Sequence, residues 1–351
     1  MNGSEAGQPW RGRVGGPPFV VAEISGNHNG SLARAIEIVH MVAEAGADAV
    51  KLQTYTPDTL TLAADSADFR VSSEHELWGG RTLYDLYEEA QTPWEWHAPI
   101  FIEARKVGLI PFSTPFDETS VDFLEELDVL LYKIASLEIV DLPLIRKVAA
   151  TGKPLILSTG AATWTEVADA VTCARSAGCE DLTVLVCTSS YPASAADANL
   201  RRLPVLAELL DVSVGLSDHT LGTAVSVAAV AMGATVIEKH VTLSRADGGV
   251  DGAFSLDATG FKVLIRDVRE AWEALGSADA WRAASEAESL RFRPSLRVTQ
   301  DVKAGELLSS RNVRSVRPAG GLQPDDFTLV EGRRFIRDAE LGTPVTWDLV
   351  T

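Results

Sequence analysis

Residues 212–243 read VSVGLSDHTLGTAVSVAAVAMGATVIEKHVTL. Two short apolar runs, Val212 to Leu216 and Thr235 to His240, flank a longer segment that Gly233 ends. Apolar run, helical segment, apolar run is the pattern of a βα unit in a parallel sheet. Working outward, the rhythm recurs, with further strands predicted at Phe19 to Ser25, Ala49 to Tyr55, Leu109 to Ser113, Leu130 to Ala135, Pro154 to Ser158 and Leu182 to Cys187. The intervening helices are legible as well. LARAIEIVHMVAEAG (32–46) carries apolar residues at helical spacing until Gly46 stops it, and TWTEVADAVTCARSAG (163–178) opens on Thr163 with Glu166 three residues on, the signature of a capping box. Eight such units over about 250 residues predict a (β/α)8 TIM barrel, whereas a doubly wound sheet needs fewer strands and a topological switch point.

The flanks of this unit series differ from it. At 351 residues the chain exceeds one ordinary barrel. Residues 1–17 read as a flexible Gly/Pro-rich lead-in, 18–276 as the barrel, 277–293 as a linker and 294–351 as a small, mainly β module built of short, turn-punctuated pieces. That module holds eight basic and eight acidic residues, so the whole formal charge of −18 lies before it. An acidic barrel disfavours a nucleic-acid or anionic-membrane scaffold, while a small anionic substrate needs only a few local cations. Cys173, Cys179 and Cys187 have neither disulfide-framework nor zinc spacing. No signal-peptide core or run of 18 or more apolar residues is present, so a cytoplasmic protein is expected.

Polar residues collect at the ends of the apolar strands, where the mouth of a barrel lies. They include Glu23, Asn27 and His28; Lys51 and Gln53; Ser113 and Thr114; Lys133, Ser136 and Glu138; Ser158; Tyr191; Ser217, Asp218 and His219; and Glu238, Lys239 and His240. His219 and His240, on consecutive strand ends, could supply two imidazoles to one divalent metal. Lys51, Lys133 and Lys239 are counter-charges for a phosphate or carboxylate, with salt bridges to neighbouring glutamates as the alternative. Cys187 reads as a small buried hydrophobe rather than a nucleophile. The segment between the second strand and the helix near Trp94, about 56–93, is long for a βα loop and holds Trp78, Tyr84 and Tyr87. It is either a substrate-contacting loop or a satellite packing cluster.

SGNHNGSL (25–32), AGADAVKLQTYTPDTLTL (45–62), FSTPFDE (112–118), YKIAS followed by Glu138, LSTG (157–160), CTSSYP (187–192), GLSDHT (215–220) and EKHVTL (238–243) together resemble the sialic acid synthases. The SGNHN opening, LWGGRTLYDLYEEAQTPWEWH and DGGVDGAFSL look more narrowly like the pseudaminic acid synthase branch. The resemblance implies a TIM barrel followed by a SAF (antifreeze-like) domain, in a domain-swapped homodimer. It implies condensation of phosphoenolpyruvate with an N-acetylated deoxyamino sugar, 2,4-diacetamido-2,4,6-trideoxy-β-L-altropyranose in that branch, with release of phosphate. Sialic or legionaminic acid synthesis, a Schiff-base aldolase using Lys133 and a non-catalytic sugar-binding protein are the alternatives. The cofactor implied is a divalent metal, Mn2+ with Mg2+ or Co2+ as alternatives, held by His219 and His240. Glu23 would meet the reaction centre and Glu138 would be the acid/base. Lys51, Gln53, Lys133, Ser136, Ser158, Ser189 and Ser217 would line the phosphoenolpyruvate side, Tyr191 and Asp251 the acceptor, and Arg317 would reach the partner subunit's substrate. Leu137 and Ala161 depart from the family's usual Gly and Met.

Overall fold

The structure, a computed structural model, describes residues 16–74 and 76–351. All but the last two residues of the expected lead-in lie outside the described residues. Contacts divide the chain into two units, 1–275 and 276–351.

The first unit is a closed barrel of eight parallel strands in sequential order: β1 (Phe19–Glu23), β2 (Ala49–Thr54), β3 (Ile110–Pro115), β4 (Tyr132–Ile134), β5 (Leu155–Ser158), β6 (Leu182–Cys187), β7 (Ser213–Asp218) and β8 (Val236–His240). Its closing seam pairs β1 with β8, Val21 opposite Glu238 and Glu23 opposite His240. The main helices are α1 (Leu32–Ala45), α2 (Pro57–Leu60), α3 (Leu83–Ala90), α4 (Trp94–Lys106), α5 (Glu118–Glu126), α6 (Leu142–Ala149), α7 (Trp164–Ser176), α8 (Arg202–Leu210), α9 (Ala224–Ala231) and α10 (Ala258–Leu275). Local chemistry sets their ends. The Glu166 carboxylate accepts from the Thr163 N–H at 2.7 Å and opens α7, while Gly46 closes α1 at φ +92°, a conformation that a side chain would strain.

The period-two alternation of each strand sorts its side chains to two sides. Val20, Ala22, Val50, Leu52, Val184, Val186, Leu216 and Ile237 face the helices in the main core. Phe19, Val21, Ala49, Phe112, Leu131, Ile156, Leu185 and Val236 form a separate inner cluster that plugs the barrel. Gly215 belongs to this layer by necessity, because a Cβ there would lie 2.4 Å from the Val236 carbonyl oxygen and 2.6 Å from Leu185 Cδ2. The next inward residues along the strands are polar, Glu23, Lys51, Thr114, Lys133, Ser158, Ser217 and Glu238, with Cys187 on β6 the exception. An apolar floor beneath a polar mouth follows from this order, and only the mouth is open to chemistry.

The second unit has its own core of Leu296, Val298, Val313, Phe335, Val345 and Leu349. An antiparallel pair, β9 (Ser295–Val298) with β10 (Val313–Val316), and isolated bridges such as Phe335 to Val350 give it its β character, with a single turn of helix, α11 (Phe327–Val330). Among the described residues no helix is long and apolar enough to cross a membrane.

Candidate active site

Four buried charges meet inside the barrel. Lys51 Nζ lies 2.5 Å from Glu23 Oε2 and 3.8 Å from Glu238 Oε2, and Lys133 Nζ lies 3.8 Å from Glu238 Oε1. Thr114 Oγ1 accepts from Lys51 at 3.1 Å, Ser158 Oγ from Lys133 at 2.6 Å, and Glu238 Oε1 from Ser217 at 3.1 Å. Gln53 donates to Glu23 Oε1 at 3.1 Å. Glu238 was one of many strand-end residues in the sequence, yet it is the hub. Its position two residues before His240 on the same strand face was the signal for that role.

The environment separates these groups. Burial opposes charge on Glu238, but both lysines face it and hold its carboxyl below the ordinary value. At Glu23 burial outweighs Lys51 and raises the carboxyl. Burial likewise outweighs Glu238 at Lys133 and lowers that ammonium, whereas at Lys51 two carboxylates overcome burial and raise it. Such a cluster is costly to bury unless its polar atoms are satisfied, and here they are not. Glu238 Oε2 has no hydrogen-bond partner and meets the Lys51 ammonium only at 3.8 Å, whereas Glu23 Oε2 is held by Lys51 at 2.5 Å.

Beside the cluster stand three rings. His219 and His240 have centroids 5.3 Å apart, and Tyr191 lies 4.4 Å from His219. Phe254 packs against both Tyr191 and His240. His219 Nδ1 is 3.0 Å from the Thr188 carbonyl, which can only accept, so the proton sits on Nδ1 and Nε2 keeps its lone pair. His240 Nδ1 is buried without a partner. Burial and the neighbouring cations hold His240 far below its ordinary value, hence neutral. At His219 burial acts the same way but is outweighed by Cys187, the Thr188 carbonyl and Glu238, so a metal there competes with a proton. Two adjacent imidazoles with free nitrogens fit a divalent ion whose remaining ligands are water or substrate. Among the described residues no group of three or more His, Cys, Asp or Glu forms a ready-made cage.

On the other side, Gly160 N–H donates to Ser136 Oγ at 3.0 Å, and the buried Ser189 hydroxyl lies near Tyr191 without a well-aligned bond. A Cβ on Gly160 would fall 2.1 Å from Ser189 Oγ and 2.8 Å from Ser136 Oγ, so glycine is what lets these hydroxyls converge. A cavity of about 520 Å3 opens over the cluster, lined by Gln53, Ser136, Glu138, Ser189, Tyr191, His240 and Asp251 and roofed by the insertion. Burial raises the Glu138 carboxyl despite Lys133. Asp251 is fixed through Oδ2 by Ser25 Oγ at 2.5 Å and Gly26 N at 3.3 Å.

Four expected mouth residues, Lys239, Asp218, His28 and Ser113, lie elsewhere. Lys239, proposed as an anion counter-charge, points outward from the barrel and pairs at 2.9 Å with Asp218 Oδ2, as alternation between the inward Glu238 and His240 demands. His28 is buried edge-on against Trp96. Ser113 shares a hydrogen bond with Thr54 at 2.6 Å on the outer face. Arg317, exposed beyond β10, belongs to the second unit.

A profile of the NeuB family matches residues 38–280, and one of the SAF domain matches residues 293–351. The chain is 42% identical over 333 residues to a pseudaminic acid synthase of Helicobacter pylori, covering 95% of this chain and 97% of that protein. It is 43% identical to a pseudaminic acid synthase of Campylobacter jejuni, covering 92% and 94% of the two chains. Among solved structures, the N-acetylneuraminic acid synthetase of Leptospira borgpetersenii in complex with citrate superposes with a TM-score of 0.69 at 30% identity, covering 79% of this chain and 91% of that one. Family profile, near full-length identity and shared barrel agree: the chain belongs to the NeuB family and carries a C-terminal SAF domain.

Proposed function

We propose that this chain condenses phosphoenolpyruvate with an N-acetylated deoxyamino sugar, as a pseudaminic acid synthase, releasing phosphate and leaving a nine-carbon 2-keto acid. The observation that carries this reading is the buried Lys51, Lys133, Glu23 and Glu238 cluster, with Glu238 Oε2 unpartnered, beside two adjacent imidazoles. Lys51 and Lys133 hold the anion of phosphoenolpyruvate, with the Ser136, Ser158, Ser189 and Ser217 hydroxyls and Gln53 orienting it. His219 and His240 are the side chains that would hold a divalent metal, Mn2+ or alternatively Mg2+ or Co2+. The chemistry such an ion supplies when bound is Lewis-acid polarisation of the acceptor's carbonyl oxygen.

The bond that forms joins phosphoenolpyruvate carbon 3 to the aldehyde carbon of the open-chain sugar. Water adds at carbon 2, and cleavage of the carbon 2 to oxygen bond expels phosphate as the ketone forms. Glu138, whose carboxyl burial raises, accepts and returns the protons in this reading. Glu23 stands beside the reacting centre, while Tyr191 and Asp251 face the acceptor. The preorganised cations act in a water-poor site, where they are worth more than in solution. Arg317 is proposed, from the family resemblance, to reach the substrate of a second copy in a domain-swapped homodimer.

The test is phosphoenolpyruvate-dependent phosphate release with product mass, using the pseudaminate, sialate and legionaminate precursors in turn. Chelation or His219→Ala should abolish release while circular dichroism stays unchanged, and Arg317→Ala should depress it. Near-normal release from His219→Ala with unchanged metal binding sinks the ligand assignment. Trapping of a Lys133 adduct by borohydride would favour the aldolase reading instead.

A further inference from the structure

Two stretches far apart in the sequence, SGNHN (25–29) and DGGVDGAFSL (247–256), meet beside the barrel mouth. Asn27 Nδ2 donates to the Val241 carbonyl and to Ser255 Oγ, both at 2.8 Å, and Ser255 donates in turn to the Asp251 carbonyl at 2.7 Å. Asp251 is thus held through its main chain. Its carboxylate is held as well, because Ser25 Oγ and Gly26 N both donate to Oδ2. Among the described residues nothing donates to Oδ1, although Asp251 is buried and lines the cavity. A structural staple is finished differently: Asp218 accepts on Oδ1 from Thr220 and on Oδ2 from Ser226 and Lys239.

Ser25 makes its bond from a disfavoured backbone. Its φ is +47°, in the left-handed region where any residue but glycine crowds its own Cβ against the chain. Glycine would take this turn without strain, yet it would bring no hydroxyl. Such strain is held at positions where the side chain does something that the relaxed residue cannot. Burial raises the Asp251 carboxyl, and the Ser25 hydroxyl leads the groups that oppose that rise.

Resting on the condensation reading above, we infer that Ser25 is a positioning residue of the site, whose hydroxyl occupies one oxygen of Asp251 and leaves the other to accept a hydrogen bond from the acceptor. It acts through Asp251 alone. The strained turn at Ser25 is what brings the hydroxyl and the Gly26 N–H to the same oxygen, so orientation of the carboxylate is set before any ligand arrives.

The experiment compares Ser25→Gly with Ser25→Ala in the full chain loaded with Mn2+. Both remove the hydroxyl, but only the first also removes the strain, so the Gly variant should unfold at the higher temperature of the two. Acceptor affinity should ignore that difference. By calorimetric titration with whichever of the pseudaminate, sialate and legionaminate precursors the wild type binds most tightly, both variants should bind roughly tenfold or more weakly. KM for phosphoenolpyruvate should stay within about twofold. In an Asp251→Ala background, Ser25→Gly should weaken binding by less than about twofold further. Affinity that follows stability, with Gly nearer the wild type than Ala, overturns the inference. So do unchanged affinity in both variants, a full further loss in the Asp251→Ala background, or binding of no precursor by the wild type. Phosphate release from phosphoenolpyruvate is read in parallel to separate this from the reading it rests on. Affinity that depends on Ser25 without release leaves the positioning role standing and counts against condensation; release with affinity indifferent to Ser25 does the reverse.

Discussion

Two buried lysine and carboxylate groups lie on opposite sides of the same barrel wall, and they are built differently. Outside, Lys239 pairs with Asp218, whose carboxylate also accepts from Thr220 N at 2.8 Å, Thr220 Oγ1 at 2.7 Å and Ser226 Oγ at 2.7 Å; Lys239 in turn donates to the Thr220 carbonyl. This network is closed. Inside, Lys51, Lys133, Glu23 and Glu238 leave Glu238 Oε2 without a hydrogen-bond partner. The outer group is satisfied by the protein alone, while the inner one keeps a carboxylate oxygen able to accept from an incoming donor. Burial and charge do not distinguish a site from a staple, but unfinished hydrogen bonding does.

The largest effect should come from breaking each group at its lysine. Lys239→Met leaves Asp218 buried and charged, and should cost about 3–5 kcal/mol of stability. Lys133→Met removes a cation that burial already disfavours and leaves Lys51 facing Glu238, so urea unfolding should show a smaller loss than Lys239→Met, while kcat/KM for phosphoenolpyruvate falls roughly a hundred- to a thousandfold. Equal destabilisation by the two substitutions would erase the distinction between closed and open groups.

A third network on the outer face is closed and neutral. His97 Nδ1 points to the Pro93 carbonyl at 3.4 Å, so Nε2 accepts from Thr54 Oγ1 at 2.8 Å, and Thr54 is bonded in turn to Ser113. Burial lowers the His97 value from 6.5 to about 4. Below pH 6.5 the unfolded chain takes up a proton that the folded chain refuses, so stability present above 6.5 is lost as pH falls toward 4, by about 3 kcal/mol in all. His28, lowered to about 4 by its own burial, adds to the same loss. His97→Gln should flatten the slope of stability against pH between 6 and 4.5 by nearly one proton. An unchanged slope would show that the ring is not held neutral.

The barrel was legible because alternation and helical period both survive in short runs, and because Thr163 with Glu166 and Gly46 mark the ends of elements directly. The mouth was legible only to the level of strand ends. Position along a strand told which residues lie high in the barrel, but its phase decides which side of the wall they take, and that separates Glu238 and His240 from Lys239. Phase could have been counted from Val236. The insertion could not be read in this way. Its apolar residues, Leu60, Val71 and Leu83, follow no period, and they are brought together by contacts with residues far along the chain, such as Trp78 with Val250.

The smallest effect tests whether the closed network does anything for the open one. His219 sits between Asp218 and Thr220, which raises the question whether a staple at those two residues aims its ring. Yet His219 has anchors of its own: its carbonyl accepts from Ala193 N at 3.0 Å and its Nδ1 bonds the Thr188 carbonyl. Thr220→Val removes one hydroxyl donor from a charged acceptor while keeping the backbone bond and the shape, and should cost about 1.5–2 kcal/mol. Because the ring keeps both anchors, kcat and Mn2+ affinity should stay within about twofold, a change well below the 1.4 kcal/mol that a factor of ten represents. A tenfold loss of metal affinity at that modest cost in stability would mean that the outer pair positions His219, and the wall would then separate two halves of one device rather than a staple from a site.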